Sequence, residues 1–192
     1  GCYPTAVTLG YLPLIKAGLI DSKQLIADTK SGVSGAGRKA DVGILMSEMG
    51  ESFKSYAVAG HRHQPEIAQI LTQFATDEVG LTFVPHLLPM IRGIHATLYG
   101  NLKADASDLQ ALYEDFYKDE PFVRVRTQPV EMKHVAGTNF CDIFVAQKGR
   151  QLFISSSIDN LLKGASSAAI VNANLMCGLA EEMGVPKIAY AP

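Results

Sequence analysis

The spacing of apolar residues divides the chain into short helices and strands. Helical spacing, with a proline or a capping residue near the start, covers residues 5–17, 65–74 and 107–117. Short apolar or alternating runs, the first preceded by a turn, predict strands within residues 20–29, 55–59, 81–84, 94–99, 122–126, 142–146 and 152–156. An alanine-rich stretch predicts a long last helix over residues 166–183. Helices and strands do not alternate regularly, so we expect an α+β fold with a mixed, mainly antiparallel sheet.

Composition indicates one globular domain over residues 1–192. The chain has 192 residues, 47% of them hydrophobic, a mean hydropathy of +0.12 and a formal net charge of −2. This apolar content suffices for one core, and the absence of a basic stripe argues against nucleic acid as a partner. No apolar run approaches the roughly 18–20 residues that span a bilayer. The three cysteines form no CxxC pair, so we expect a cytoplasmic protein.

Cys2 lies directly before the first predicted helix. The unpaired N–H groups and the dipole of a helix start lower the pKa of a thiol, so Cys2 is a candidate nucleophile. A small buried residue is an equally good interpretation of this position. Cys141 and Cys177 lie in a predicted strand and in the last predicted helix, where we expect inert core thiols. The chain opens on Gly1-Cys2 without Met, from which we expect another domain to precede it.

Ionisable side chains are concentrated just before the second predicted helix. The run HRHQPE at residues 61–66 holds two imidazoles, a guanidinium and a carboxylate. One of the two histidines is a candidate general acid or base, and a solvated loop is the alternative. A metal site has little support, because His61 and His63 have no third clear ligand beside them.

Two predicted loops offer further polar groups. The loop SGVSGAGR at residues 31–38 combines backbone N–H groups with Ser31, Ser34 and Arg38, which suits a phosphate or a carboxylate. Its glycines have the spacing G-x-x-G-x-G, the reverse of the dinucleotide fingerprint, and a flexible surface loop is the other interpretation. In the loop at residues 85–93, His86 and Arg92 either face a substrate or bind backbone carbonyls.

Five motifs, taken in order, resemble the N-acetyl-gamma-glutamyl-phosphate reductases. They are GCYPTA at residues 1–6, SGVSGAGR at 31–38, HRHQPEI at 61–67, FVPHLLP at 83–89 with Arg92-Gly93, and LKGA at 162–165. One motif alone is weak, but five in sequence are specific. The family belongs with the aspartate-semialdehyde and glyceraldehyde-phosphate type dehydrogenases, in which a Rossmann domain precedes an α+β catalytic and oligomerisation domain. The resemblance implies that residues 1–192 are this second domain, with the Rossmann domain missing.

The resemblance also implies a reaction. It is the NADPH-dependent reduction of N-acetyl-glutamyl 5-phosphate to N-acetyl-glutamate 5-semialdehyde, a step of arginine biosynthesis, with phosphate released through a thioester on the catalytic cysteine. The nucleophile of the family lies in the motif matched by Cys2. Its acid/base histidine lies in the motif matched by HRH, where position favours His61 over His63.

Further site residues follow from the same resemblance. The groups expected to hold phosphate or the substrate carboxylate are Ser31, Ser34 and Arg38. His63 and Glu66 are expected to orient the catalytic histidine or to contact the N-acetyl amino-acid end of the substrate.

The cofactor and the assembly are also implied by the resemblance. NADP is expected to bind mainly to the missing domain, with Asn174 contributing from the last helix. The family often has Gln at the start of this helix, where the present chain has Ser166-Ser167. A homodimer or homotetramer is expected.

Three other functions stay open from the sequence. An aspartate-semialdehyde dehydrogenase-like reductase would use the same chemistry on a smaller acyl phosphate, although the HRHQPE run argues against it. A Cys-His thioester hydrolase would need no cofactor. A domain that serves only assembly would leave Cys2 as an incidental thiol.

Overall fold

The computed structural model describes residues 1–58, 60–105 and 108–189. The helices in these ranges are α1 (Cys2–Lys16), α2 (Met46–Met49), α3 (His63–Thr72), α4 (Leu109–Tyr117) and α5 (Ser167–Met176). The strands are β1 (Leu25–Gly32), β2 (Lys54–Ser55), β3 (Leu81–Leu88), β4 (Ile94–Asn101), β5 (Val123–Val125), β6 (Cys141–Lys148) and β7 (Gln151–Ile158). No helix in the described ranges is long and apolar enough to cross a membrane.

The described strands form one mixed sheet in the order β2-β3-β1-β4-β7-β6-β5. The pairs β1–β3 and β5–β6 are parallel, and the other neighbours are antiparallel. Helices α1, α3 and α4 pack together on one face of the sheet. The predicted α+β fold with a mainly antiparallel mixed sheet is therefore confirmed.

Helix α1 is buried on most of its surface because it lies between the sheet and the other helices. It packs on β4 and β7 and also contacts α3 and α4. A Cβ added at Gly10 would lie 2.4 Å from Leu98 Cδ1, so the missing side chain allows the helix to approach the sheet closely. Tyr11 is fully buried, and its hydroxyl donates to the backbone carbonyls of Ile26 and Tyr99. This packing fixes α1 against the sheet.

Strand β3 is longer than predicted. The residues expected to begin a loop, Pro85 and His86, continue the strand to Leu88. Proline has no N–H to donate, but β3 pairs in parallel with all eight residues of β1, and this pairing carries the strand past Pro85. The non-local pairing thus outweighs the local turn signal.

The last helix is shorter than predicted. Residues 162–166 form a π-helical turn, and α5 then ends at Met176 instead of extending to residue 183. Gly178 has a φ of +68°, which ends the helical path. The side-chain amide of Asn174 donates to the carbonyls of Glu181 and Met183 and holds the chain in a turn after the helix. The prediction that Cys177 is a core thiol is wrong, because it follows this helix and is exposed, whereas Cys141 is buried as predicted.

Two other predicted elements differ at their ends. The predicted helix at residues 107–117 begins at Leu109, and the side chain of Asp108 accepts a hydrogen bond from the backbone of Ala111 as the N-cap. The predicted cap Ser107 lies outside the described residues. The strand expected at residues 55–59 reduces to β2, and residue 59 also lies outside the described part of the chain.

Candidate active site

One cavity of about 480 Å³ brings together residues from four of the sequence motifs. It lies where α1 and α3 begin, beside the end of β1 and the edge strand β2. Its lining includes Cys2, Ser31, Lys54, Tyr56, His61 and His63. The thiol of Cys2 therefore lines one cavity with two imidazoles that lie 59 or more positions after it in the sequence. This grouping places a candidate nucleophile and two candidate acid/base groups around one cavity.

Cys2 is the first residue of α1 and is partly buried. A Cβ added at Gly164 would lie 2.7 Å from Cys2 Cβ, so the π-helical turn packs directly on the cysteine. Burial raises the pKa of the Cys2 thiol, although the Tyr3 backbone N–H and the positive charge of Arg62 act in the opposite direction. The predicted lowering of the thiol pKa is therefore wrong for this chain, because desolvation outweighs the helix start.

His61 is held in one tautomer by the first residue of α3. Its Nδ1 accepts the backbone N–H of His63 at 3.1 Å, so the ring proton of the neutral imidazole lies on Nε2. Burial and the neighbouring charge of Arg62 lower the pKa of His61, which favours the neutral ring. The ring packs edge-on against Tyr3 and Tyr56. His61 can thus donate a hydrogen bond from Nε2–H to an oxygen atom that gains negative charge in the cavity.

His63 is the more deeply buried histidine. Its pKa is lowered to about 4 by burial and then by neighbouring His61. Its Nδ1 has no hydrogen-bond partner among the described residues. A Cβ added at Gly1 would lie 2.6 Å from His63 Nε2 and 3.1 Å from an oxygen of Glu66, so these side chains close around the residue before Cys2. The structure therefore places His63 in the lining of the cavity, with Glu66 beside Gly1 and outside the lining.

The loop SGVSGAGR is only partly at the cavity. Ser31 lies near the end of β1 and lines the cavity, and its hydroxyl donates a hydrogen bond to the carbonyl of Gly32. Ser34 lies outside the lining and accepts a hydrogen bond from the amide of Asn160. Arg38 is exposed and also lies outside the lining. Of the three predicted anion-binding side chains, the structure thus places only Ser31 at the cavity.

A buried Asp-Asn pair organises the loops around the site. One oxygen of Asp159 accepts the backbone N–H groups of Leu161 and Leu162, which begin the π-helical turn that packs on Cys2. Its other oxygen accepts the N–H of Gly137. The side chain of Asn160 accepts a hydrogen bond from the backbone N–H of Gly93, and its amide donates to the hydroxyl of Ser34. The sequence analysis missed this pair, although two polar residues directly after an apolar strand and before the LKGA motif are a detectable signal.

Three other predicted residues have structural contacts. His86 Nδ1 lies 3.0 Å from an oxygen of Asp28, and Arg92 Nε lies 2.7 Å from the buried carboxylate of Asp159. Neither His86 nor Arg92 lines the cavity. The amide of Asn174 holds the turn after α5, and its expected cofactor role stays a prediction.

Comparison with known proteins identifies the family. The family model described as "Semialdehyde dehydrogenase, dimerisation domain" matches residues 2–160. The chain belongs to this family. As members of the semialdehyde dehydrogenase family, its relatives are oxidoreductases that form aldehydes.

Curated relatives in this family are reductases. The chain is 56% identical over its whole length to the N-acetyl-gamma-glutamyl-phosphate reductases of Nitrosomonas eutropha and Pseudomonas putida. It spans 57% of the length of each of them. The resemblance on which the sequence analysis relied is therefore confirmed.

Solved semialdehyde dehydrogenases share the fold. Aspartate semialdehyde dehydrogenase II from Vibrio cholerae matches with a TM-score of 0.71 and 12% identity, over 93% of this chain and 61% of that chain. A probable aspartate-semialdehyde dehydrogenase from Pseudomonas aeruginosa matches with a TM-score of 0.69 and 14% identity, over 92% of this chain and 60% of that chain.

Proposed function

We propose that this chain is the catalytic and oligomerisation domain of a cytoplasmic NADPH-dependent reductase. Its substrate is N-acetyl-glutamyl 5-phosphate, and its product is N-acetyl-glutamate 5-semialdehyde, an intermediate of arginine biosynthesis. The observation that carries the proposal is the shared cavity of Cys2, His61 and His63. The names of the relatives that are 56% identical over the whole chain support the choice of substrate.

The reaction begins at Cys2. Its thiolate sulfur attacks the acyl carbon, the bond from this carbon to the phosphate oxygen breaks, and the phosphate leaves with the electron pair. The acyl group is then held on Cys2 as a thioester. Because burial raises the pKa of this thiol in the chain alone, the positive charge of Arg62 has a direct use in favouring the thiolate.

His61 stabilises the charge on oxygen. The nicotinamide cofactor, when bound, would supply a hydride to the carbon of the thioester. Negative charge then develops on the former carbonyl oxygen, and Nε2–H of His61 stabilises it by donating a hydrogen bond. The C–S bond then breaks, this oxygen becomes the aldehyde carbonyl, and Cys2 leaves as the thiolate.

The cofactor itself is assigned to another domain. The loop SGVSGAGR follows β1 and forms a short 3-10 turn at residues 33–36. Its glycine spacing does not match the dinucleotide fingerprint. Around α5 the chain exposes Leu175, Met176, Leu179 and Met183. An apolar surface of this size is typical of a contact with another protein surface, and we place the cofactor domain there. The choice of NADP over NAD rests on the sequence resemblance.

The proposed site is tested by alkylating Cys2 in the complete reductase over a range of pH. Peptide mass spectrometry follows Cys2, with buried Cys141 and exposed Cys177 as internal references. We expect Cys2 to react selectively, and His61→Ala to change its pH profile. Reactivity of Cys2 equal to that of Cys177, unchanged in the His61 variant, would contradict the assignment.

Turnover measurements test the substrate. The complete reductase is assayed with N-acetyl-glutamyl phosphate and with aspartyl phosphate, beside a Cys2→Ser variant. We expect NADPH oxidation with the first substrate, little with the second, and none in the variant. Preference for aspartyl phosphate would favour the aspartate-semialdehyde dehydrogenase-like alternative, and phosphate release without NADPH oxidation would favour a hydrolase.

We further propose that two copies of the chain pair through the open face of the sheet, opposite α1. This face exposes Ile26 and Tyr99, which are directly opposite each other on β1 and β4. Phe153 packs beside Tyr99, and a groove of about 950 Å³ runs across these strands. The description of the matched family as a dimerisation domain supports this use of the face.

Light scattering after size exclusion tests the proposed dimer contact. Tyr99→Lys places a charge in the middle of the open face, and it should lower the molecular mass of the complete reductase towards that of the monomer. Val42→Lys is the control, because Val42 is an apolar residue that is 67% exposed but lies away from this face, in the 3-10 turn after the loop SGVSGAGR. An unchanged mass for Tyr99→Lys would place the contact elsewhere.

A further inference from the structure

The cavity has an uncompensated positive charge that the sequence analysis did not use. Arg62, the residue before α3, lines the cavity and has no ion pair or hydrogen bond among the described residues. Arg38, which the sequence predicts to bind the phosphate or carboxylate, is exposed and lies outside the lining. Lys54 also lines the cavity, but its ammonium group donates to the carbonyl of Gly43.

The charge of Arg62 acts on the groups that surround the cavity. It acts to lower the pKa of Cys2, His61, His63 and Tyr56, although burial raises the pKa of Cys2 and Tyr56 overall. A positive charge that acts on the nucleophile and on both imidazoles lies close to where the substrate reacts. Arg62 is therefore well placed to bind a negatively charged group attached to the carbon that Cys2 attacks.

We propose that Arg62 binds the phosphoryl group of the acyl phosphate. This inference rests on the proposed function and names the residue that recognises the leaving group. A guanidinium stays charged at all working pH values and offers two parallel N–H donors to phosphate oxygens. When the sulfur of Cys2 bonds to the acyl carbon, the departing phosphate takes the electron pair of the broken C–O bond and becomes more negative. Arg62 stabilises this growing charge.

Binding of inorganic phosphate to the complete reductase tests the inference directly. Isothermal titration gives Kd for wild type, Arg62→Ala, Arg62→Gln and Arg62→Lys. Loss of a charge-assisted bidentate contact should raise Kd at least ~10-fold in the alanine and glutamine variants, and lysine should restore part of it. Arg150→Ala, which removes an equally exposed arginine at the β6–β7 turn, should bind phosphate as wild type does.

Kinetics give the second readout. Arg62→Gln should raise KM for the acyl phosphate and slow formation of the Cys2 thioester, because it removes the charge but keeps a polar amide. The inference is overturned if both neutral Arg62 variants bind phosphate like wild type, or if Arg38→Ala causes the loss instead. Binding of inorganic phosphate is measured without any reduction step. The phosphate result can therefore be interpreted even if the turnover measurements contradict the proposed reductase function.

Discussion

The close packing of Gly164 on Cys2 leads to a stability prediction of definite sign. In a helical turn, replacing Gly by Ala normally stabilises a protein by about 0.5–1 kcal/mol, because the unfolded chain loses freedom. At Gly164 the added Cβ would lie 2.7 Å from Cys2 Cβ, 3.0 Å from Cys2 Cα and 3.4 Å from Ile158 Cδ1. The Cα of Cys2 belongs to the backbone of α1 and cannot rotate away, so the clash must move the helix or the turn.

The magnitude follows from these opposing effects. Overpacking a filled site costs typically 1–3 kcal/mol. After subtracting the gain in helix propensity, we expect Gly164→Ala to lower the free energy of unfolding by ~1–2 kcal/mol. With a urea slope of ~2 kcal/mol per molar, the midpoint should fall by ~0.5–1 M. Because the displaced residue is the nucleophile, the alkylation rate of Cys2 should change as well.

The assay compares Gly164→Ala with Gly60→Ala in the complete reductase. A Cβ at Gly60 meets no atom within 4 Å, so this control keeps its urea midpoint within error or gains slightly. Equal or greater stability of Gly164→Ala, together with unchanged Cys2 alkylation, would refute the close contact between the π-helical turn and the cysteine.

Three more predictions follow from buried polar groups. Tyr113→Phe removes a fully buried hydroxyl that donates to a carbonyl of α1, and should cost about 1–2 kcal/mol in urea unfolding, whereas Tyr99→Phe on the open face should cost little. His63 has a folded pKa of about 4 against an ordinary 6.5, so the folded state binds fewer protons between these values and stability should fall as pH drops through this window. His63→Gln should remove that part of the pH dependence of the urea midpoint. Asp159→Asn breaks a buried carboxylate–arginine pair and should cost ~3 kcal/mol by thermal or urea unfolding, whereas Asp115→Asn at an exposed pair should leave the midpoint unchanged.

Local patterns were enough for the element types and for the family. The 3.6-residue period of α1 and α3 and the short apolar runs of the strands follow from side-chain direction alone, which each segment carries in its own sequence. The motifs around Cys2 and His61 likewise lie within a few residues each, so they were readable without a structure. Their meeting in one cavity followed only from the family resemblance.

Tertiary structure decided what depends on distant neighbours. Strand β3 continues through Pro85 because β1 pairs along it, and the last helix ends early because Asn174 holds the turn that follows. The pKa of Cys2 is raised instead of lowered because burial by packed elements outweighs the local effect of a helix start. Arg38 lies outside the cavity while Arg62 lies in it. Desolvation, strand pairing and side-chain placement all depend on residues that are far apart in the chain. The sequence by itself therefore determined the elements and their chemical groups, and only packing decided what surrounds each group.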